Sequence, residues 1–285
     1  MKYIPKEITE EVNVSKTHPL VNITYLLITV IGVSCLAFLG LGVLANTIAE
    51  KIDLTTEEKI GKLLTEEIRE ENVIKDDPRL PYVSKLAQSL YQQNNHDQEK
   101  LNLKVHILDE SMMNAMVMPG GYIFVTKGLL DEVETENELS FVLAHEIAHI
   151  ENGDSKKALG RSLVFLFVAT IFNIGGNNQS HSQMVWLTGN LTSLSYSRTQ
   201  EERADREAMI TMIEYYGHGE DSLEFFEKIH EHIPSEISEN KLSEYFSTHP
   251  LTLDRIDTLE DLAKKNNWQM TGELTPLPPE FKQSQ

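Results

Sequence analysis

Residues 139–150 read Leu139-Ser140-Phe141-Val142-Leu143-Ala144-His145-Glu146-Ile147-Ala148-His149-Ile150. Leu139, Phe141, Val142, Leu143, Ile147 and Ile150 make this an apolar stretch suited to a buried helix. Within such a helix, positions four apart share one face, so His145 and His149 can present their imidazoles to a single metal ion. Glu146 is rotated by about 100° from His145, beside the metal rather than on it. A carboxylate there can take a proton from a metal-bound water. Two histidines on one helix face can also exist without a metal, so the reading turns on a third ligand.

A catalytic zinc site takes three protein ligands and leaves one position open for water. One known arrangement has a glycine three residues, and a histidine six residues, after the second histidine. Asn152 and Ser155 occupy those positions, so that arrangement fails, and Gly153 reads as a helix stop. The third ligand must come from elsewhere. Glu201, in Ser197-Arg198-Thr199-Gln200-Glu201-Glu202-Arg203-Ala204-Asp205, is the best candidate. Glu201 and Asp205 are four apart, so one helix face carries two carboxylates. The first can bind zinc, and the second can accept the free N–H of a ligating imidazole, fixing its tautomer. Glu202 is the rival, but four residues later it meets Arg206, a cation that serves neither purpose.

The rest of the composition narrows the partners. Asp and Glu number 44 against 25 Lys and Arg, for a net charge of -19 among 285 residues. A chain this acidic repels a phosphate backbone, so nucleic-acid binding is not expected. Cys35 is the sole cysteine, which excludes an intramolecular disulfide.

Leu20 to Ala45 contains no charged residue. The run is long enough to cross a bilayer with some tilt. It starts later, and continues longer, than the core of a signal peptide, so a retained single-pass anchor is expected, with cleavage near Val43 and Ala45 as the alternative. Cys35 is a poor site for lipid attachment, because the apolar run continues past it. Lys2, Lys6 and Lys16 precede the span, and Lys51, Lys59 and Lys62 follow it, a tie by the positive-inside count. A short tail before a long C-terminal region favours a catalytic domain on the non-cytoplasmic side.

Beyond the span, Asp53–Val73 reads as an amphipathic helix and Tyr82–Gln93 as another. Leu101–Leu108 alternates as a strand, and Asn114–Val117 and Tyr122–Val125 are two short strands split by Pro119-Gly120-Gly121. Helices are expected over Glu136–Glu151, Lys156–Ile174, His181–Tyr216, Asp221–His232 and Leu251–Lys265. Leu163–Ile174 is apolar but short for a span, which reads as a buried helix, with a surface dipping into the bilayer as the alternative. The expected fold class is α+β and mainly helical. Its parts are an N-terminal tail at 1–19, the anchor at 20–45, an amphipathic helical linker at 46–80, a domain carrying the zinc motif at 81–270, and a loose tail at 271–285.

The sequence resembles the gluzincin zinc metallopeptidases of the HtpX-like and CAAX-prenyl-protease-like family. The resemblance rests on Asn114-Ala115, Pro119-Gly120-Gly121-Tyr122-Ile123-Phe124-Val125, Glu138-Leu139 and His145-Glu146-Ile147-Ala148-His149. It continues through Ser197-Arg198, Glu201, Ala204-Asp205, Thr248-His249-Pro250 and Arg255-Ile256. It runs in order from about Leu101 to about Lys265. It implies a zincin-type domain with a small β-sheet, one zinc ion per chain, and cleavage of proteins or peptides. This chain departs from the multi-span members in having one clear span, which puts lipid-modified substrates in doubt.

The expected metal ligands are therefore His145, His149 and Glu201, with Glu146 as the catalytic base and Asp205 behind the ligands. His249 lies in a matching segment and is expected to be catalytic, supporting the transition-state oxyanion, with contact with zinc at rest as the alternative. Arg255 is a candidate for the same support. Asn114, Ala115 and Met116 are expected to hold an extended or unfolded protein substrate as an added strand. The activity expected is that of a membrane-anchored endopeptidase in membrane or envelope protein quality control. A chaperone-like membrane assembly factor with weak or latent peptidase activity is the alternative.

Overall fold

A computed structural model describes residues 18–67, 72–94, 101–171, 196–224, 249 and 253–281. The chain divides into a unit of residues 1–44 and a larger one of residues 45–285. Helix α1, Pro19–Lys51, supplies the described part of the first. Its large apolar side chains, Leu20, Leu26, Leu36 and Leu39 among them, are exposed. By length and composition it could cross a membrane.

In the larger unit the period-two alternation of the sequence becomes a four-stranded sheet. The strands are β1 (Val73–Ile74), β2 (Lys104–Leu108), β3 (Ala115–Met118) and β4 (Tyr122–Thr126), in the order β1-β2-β4-β3. β2 and β4 are parallel, while β1 on β2 and β3 on β4 are antiparallel. Alternate side chains point to opposite faces of a strand. Val105, Ile107, Ala115, Val117, Ile123 and Val125 join the main core, whereas Leu108, Met118, Tyr122 and Phe124 form a second cluster on the other face. That second cluster is closed by Leu64 of α2 (Leu54–Glu67) and Leu159 of α6 (Asp154–Ile171).

The main core is filled from α3 (Leu80–Asn94), α5 (Glu136–Glu151) and α7 (Arg198–Tyr216). The short α4 (Lys127–Glu132) follows β4 directly, and α8 (Leu253–Asn266) adds Leu259 to the same core. Helix α5 is buried from Asn137 to Ile150. Its start is fixed by Thr135, whose hydroxyl accepts the Glu138 N–H at 3.1 Å. Its end is fixed by Asn152 and by Gly153 at φ 64°, a left-handed position that favours glycine. Ser197 and Gln200 cap α7 reciprocally, and Gly217 ends it at φ 82°.

Three expectations change. The helix expected over Asp53–Val73 is described over Leu54–Glu67, and Val73 instead pairs with Leu108 across β1 and β2. The segment expected as a linker at 46–80 is part of the larger unit: Ala45 and Ala49 are buried, and a Cβ at Gly160 would lie 2.5 Å from the Ala45 carbonyl oxygen. The tail expected to be loose from residue 271 is packed as far as Phe281. Thr275 N–H donates to Asn137 Oδ1 at 2.8 Å, and Leu277 and Phe281 join the main core. Apolar burial overrides the proline-rich composition there. Of the helix expected over His181–Tyr216, residues 181–195 lie outside the described set, as do residues 225–232 of the one expected over Asp221–His232.

Candidate metal centre

Helices α5 and α7 pack against each other, and their facing sides carry the residues singled out by spacing. Ligand-type atoms of His145, His149, Glu201 and His249 all lie within 4.8 Å of one another, and all four residues are buried. His145 Nε2 is 3.1 Å from His149 Nε2 and 3.3 Å from His249 Nδ1. Glu201 Oε2 is 3.5 Å from His145 Nε2, and Glu201 Oε1 is 3.4 Å from His149 Nε2. A tetrahedron with metal–donor bonds of about 2.1 Å has edges of about 3.4 Å, so these separations suit one zinc ion.

The outer nitrogens say which atoms are free to bind. His145 Nδ1 lies 2.9 Å from Asp205 Oδ1, and His149 Nδ1 lies 3.0 Å from Asp154 Oδ2. A carboxylate at Nδ1 draws the proton there and leaves Nε2 as a lone-pair donor. Two such lone pairs facing each other at 3.1 Å repel unless a cation lies between them. The donor set of two imidazoles and a carboxylate is that of zinc, with His249 as a fourth group in reach.

The carboxylates are themselves held. Arg255 donates from Nε and Nη2 to the two oxygens of Asp205, both at 2.7 Å, and its Nη1 lies 2.9 Å from Glu201 Oε2. Asp154 accepts from Gln200 Nε2 at 2.7 Å and from Arg203 Nη2 at 2.8 Å. Burial disfavours the charged form of His145, but with no cation beside it Asp205 and Glu201 outweigh that cost and push its pKa up to about 10, so a metal would take the place of the Nε2 proton. Burial would raise the Glu201 pKa; the charge of His249 and the hydrogen bonds of the imidazoles reverse this and hold it below the usual range. Asp205 is lowered in the same way by His145 and Arg255 against the cost of its burial. Against the same cost, Asp154 is brought down to about 2 by His149, Gln200 and Arg203. Glu146, Glu201, Asp205 and Asp154 are all buried around these imidazoles, so the centre attracts positive charge.

Glu146 differs from the other three. Both of its oxygens are buried without a hydrogen-bond partner among the described residues, and His249 Nε2 lies 3.4 Å from Oε1. A buried carboxylate with no hydrogen bond to either oxygen is placed to bond a further molecule, such as water. Asn114 is buried at the start of β3, where its N–H donates to Thr126 Oγ1 at 2.9 Å. Ala115 and Met116 follow it on the sheet's edge strand.

Two residues here were not singled out by sequence reading. Asp154 begins α6 immediately after the Gly153 turn, and only that turn's geometry returns it to His149. Tyr196 stacks on the His149 ring with centroids 3.8 Å apart and an interplanar angle of 15°. Its position one residue before the Ser197 cap is the sole sequence cue.

A sequence profile described as peptidase family M48 matches residues 79–263. Among curated proteins, the mitochondrial metalloendopeptidase OMA1 of Bos taurus is 33% identical over 178 residues, covering 57% of this chain and 33% of that protein. The metalloprotease LoiP of Escherichia coli is 31% identical over 173 residues, covering 59% of this chain and 65% of that protein. A protease HtpX homolog of Campylobacter concisus is 25% identical over 237 residues, covering 68% of this chain and 81% of that protein. The chain thus spans about a third of the length of the cattle OMA1 protein it matches.

Proposed function

This chain belongs to peptidase family M48, and from that premise we propose that it is a zinc-dependent endopeptidase anchored to a membrane by α1. The observation that carries the reading is the buried convergence of His145, His149 and Glu201 beside a carboxylate, Glu146, whose oxygens accept no hydrogen bond among the described residues. In this reading His145, His149 and Glu201 hold the zinc, which when bound acidifies water and polarises the scissile carbonyl. Glu146 accepts the proton of the attacking water and passes it to the departing amine. Asp205 and Asp154 fix the imidazole tautomers, and Arg255 holds Glu201 and Asp205 in place. With its guanidinium engaged by two carboxylates, Arg255 acts as a positioning residue rather than on the transition state.

The position of His249 among the ligand atoms supports contact with the metal at rest over support of the oxyanion. The substrate is an extended or unfolded protein segment added to the edge of β3 that is unpaired among the described residues, through Asn114, Ala115 and Met116. Such edge binding uses backbone hydrogen bonds and suits protein quality control at a membrane. The exposed apolar length of α1 supports a single-pass anchor in contact with lipid, and the catalytic unit is assigned to the non-cytoplasmic side.

Glu146→Gln is the test of the enzyme against an assembly factor with a closed site. The enzyme reading expects cleavage of an unfolded protein to vanish while zinc stays bound. Equal cleavage by the variant would overturn it.

A further inference from the structure

Glu57 is a charged residue on the first turn of α2, yet it is only 4% exposed. Both of its carboxylate oxygens are engaged. Oε1 accepts the Gly120 N–H at 3.1 Å, and Oε2 pairs with Lys156 Nζ of α6 at 2.7 Å. Gly120 lies in the turn Pro119–Gly121 that joins β3 to β4, where Gly120 and Gly121 adopt φ of 86° and 78°. The same turn is touched from two further sides. Gly61 of α2 lies so close that a Cβ there would overlap the Pro119 carbonyl, and a Cβ at Gly120 would sit 2.9 Å from Glu58 Cα. Lys104 Nζ donates to Gly120 O at 3.3 Å. Lys156 Nζ also reaches the Ile52 carbonyl at 3.3 Å, at the junction between α1 and α2.

Among the described residues β3 is bonded to β4 along one side, and its other edge closes the sheet's order unpaired. Its register on β4 is set over the pairs from Ala115↔Val125 to Met118↔Tyr122, so the turn is the near end of a very short strand. A strand added to an edge is bound through the spacing of that edge's N–H and C=O groups. A turn free to shift would leave those groups to be ordered at each binding event, and pre-set groups bind more tightly.

We infer that Glu57 is a positioning residue for substrate: its carboxylate holds the Gly120 turn, pre-sets the free edge of β3, and ties that edge through Lys156 to the junction after α1. This rests on the reading that β3 receives the substrate. The contact explains why a buried charge is kept at Glu57: the turn N–H needs an acceptor and Lys156 needs a counter-charge, and one carboxylate serves both.

The experiment uses the full chain in detergent micelles, fluorescein-labelled β-casein as probe, and Glu57→Ala beside Glu57→Gln. Zinc content and Tm are measured on each. Glu57→Ala is expected to raise KM by about three- to ten-fold, with kcat within about two-fold and zinc retained. Glu57→Gln keeps an acceptor for the Gly120 N–H, so its KM is expected within about two-fold of the unchanged chain. A merely structural brace predicts otherwise: kcat falls with the folded fraction while KM stays the same, and that result overturns the inference. A KM for Glu57→Gln as high as that for Glu57→Ala overturns it too. Should Glu57→Ala fail to fold, Glu57→Asp decides: its shorter side chain keeps the charge but withdraws the acceptor from the Gly120 N–H, so a raised KM with zinc retained supports the turn contact and an unchanged KM overturns it. Casein binding is read separately by anisotropy in Glu146→Gln. No binding there removes the β3 reading itself, whereas equal binding with and without Glu57→Ala overturns the Glu57 inference alone.

Discussion

Glu201 and Glu202 are adjacent and chemically identical, and orientation separates them. Glu201 is fully buried among His145, His149, His249 and Arg255, while Glu202 is exposed. Glu201→Ala is therefore expected to strip zinc from the folded chain and Glu202→Ala to leave it bound, as read by metal analysis after gel filtration. Equal loss in both would undo the ligand assignment. His249 offers a sharper choice. If its Nδ1 occupies the open metal position at rest, His249→Ala frees that position and activity rises. If it instead supports the oxyanion, activity falls by about 100- to 1000-fold. Its distances of 3.3 Å to His145 Nε2 and 3.2 Å to Glu201 Oε1 lead us to expect the rise, with zinc retained in both cases. Asp205 was legible in the sequence because it lies one helical turn from Glu201 and shares its face. Asp154 was not, because it reaches His149 across a left-handed turn that breaks helical periodicity. Tyr196 was not either, since a stacking contact leaves no spacing rule behind.

Elements with a single strong period were read most accurately. Helix α5 begins at Glu136 and ends at Glu151 as its apolar pattern and flanking residues predict, because Thr135 and Gly153 give it defined ends. Strands β3 and β4 were visible for the same reason, with the Pro119-Gly120-Gly121 turn between them. Two-residue β1 was invisible: its existence depends on β2 being beside it, and no period fits in two residues. The segment between β1 and α3 holds a buried charge device that composition does not reveal. Arg79 is 1% exposed, bonds Asp77 at 2.9 and 2.7 Å, and reaches Asp131 of α4 at 2.5 Å. Burial would raise the Asp77 pKa, but the hydrogen bonds and charge of Arg79 prevail and hold it below the ordinary 3.8. A depressed carboxylate stabilises the fold above its unfolded pKa, and that contribution is lost as the pH falls through the lower, folded value. The Tm advantage of the unchanged chain over Asp77→Asn should thus be present at neutral pH and shrink as the pH drops below 3.8. Acid removes metal from both proteins, so the difference between them isolates Asp77. A gap that stays constant through the acid range would contradict this account of the ion pair.

The described architecture places a small sheet between two apolar clusters, with the metal centre between α5 and α7. Its class was readable from the order of periods along the chain, helices after a few strands. The boundary between anchor and catalytic unit was not, because Ala45 and Ala49 look like the end of an apolar span until Gly160 is seen to leave space for them. The C-terminal segment was misread for a related reason: Leu277 and Phe281 are isolated apolar residues in a proline-rich run, and only the core they meet gives them a role. In the proposed reading this acidic chain, with net charge -19, concentrates buried carboxylates and imidazoles around one zinc ion that hydrolysis requires. The most direct test measures zinc per chain and casein cleavage on the same purified full-length sample, before and after a chelator and again after zinc is returned. We expect one zinc per chain, cleavage lost with the metal, and cleavage restored with it. A folded chain that binds no zinc, or one that cleaves casein equally well after the metal is removed, would contradict the claim.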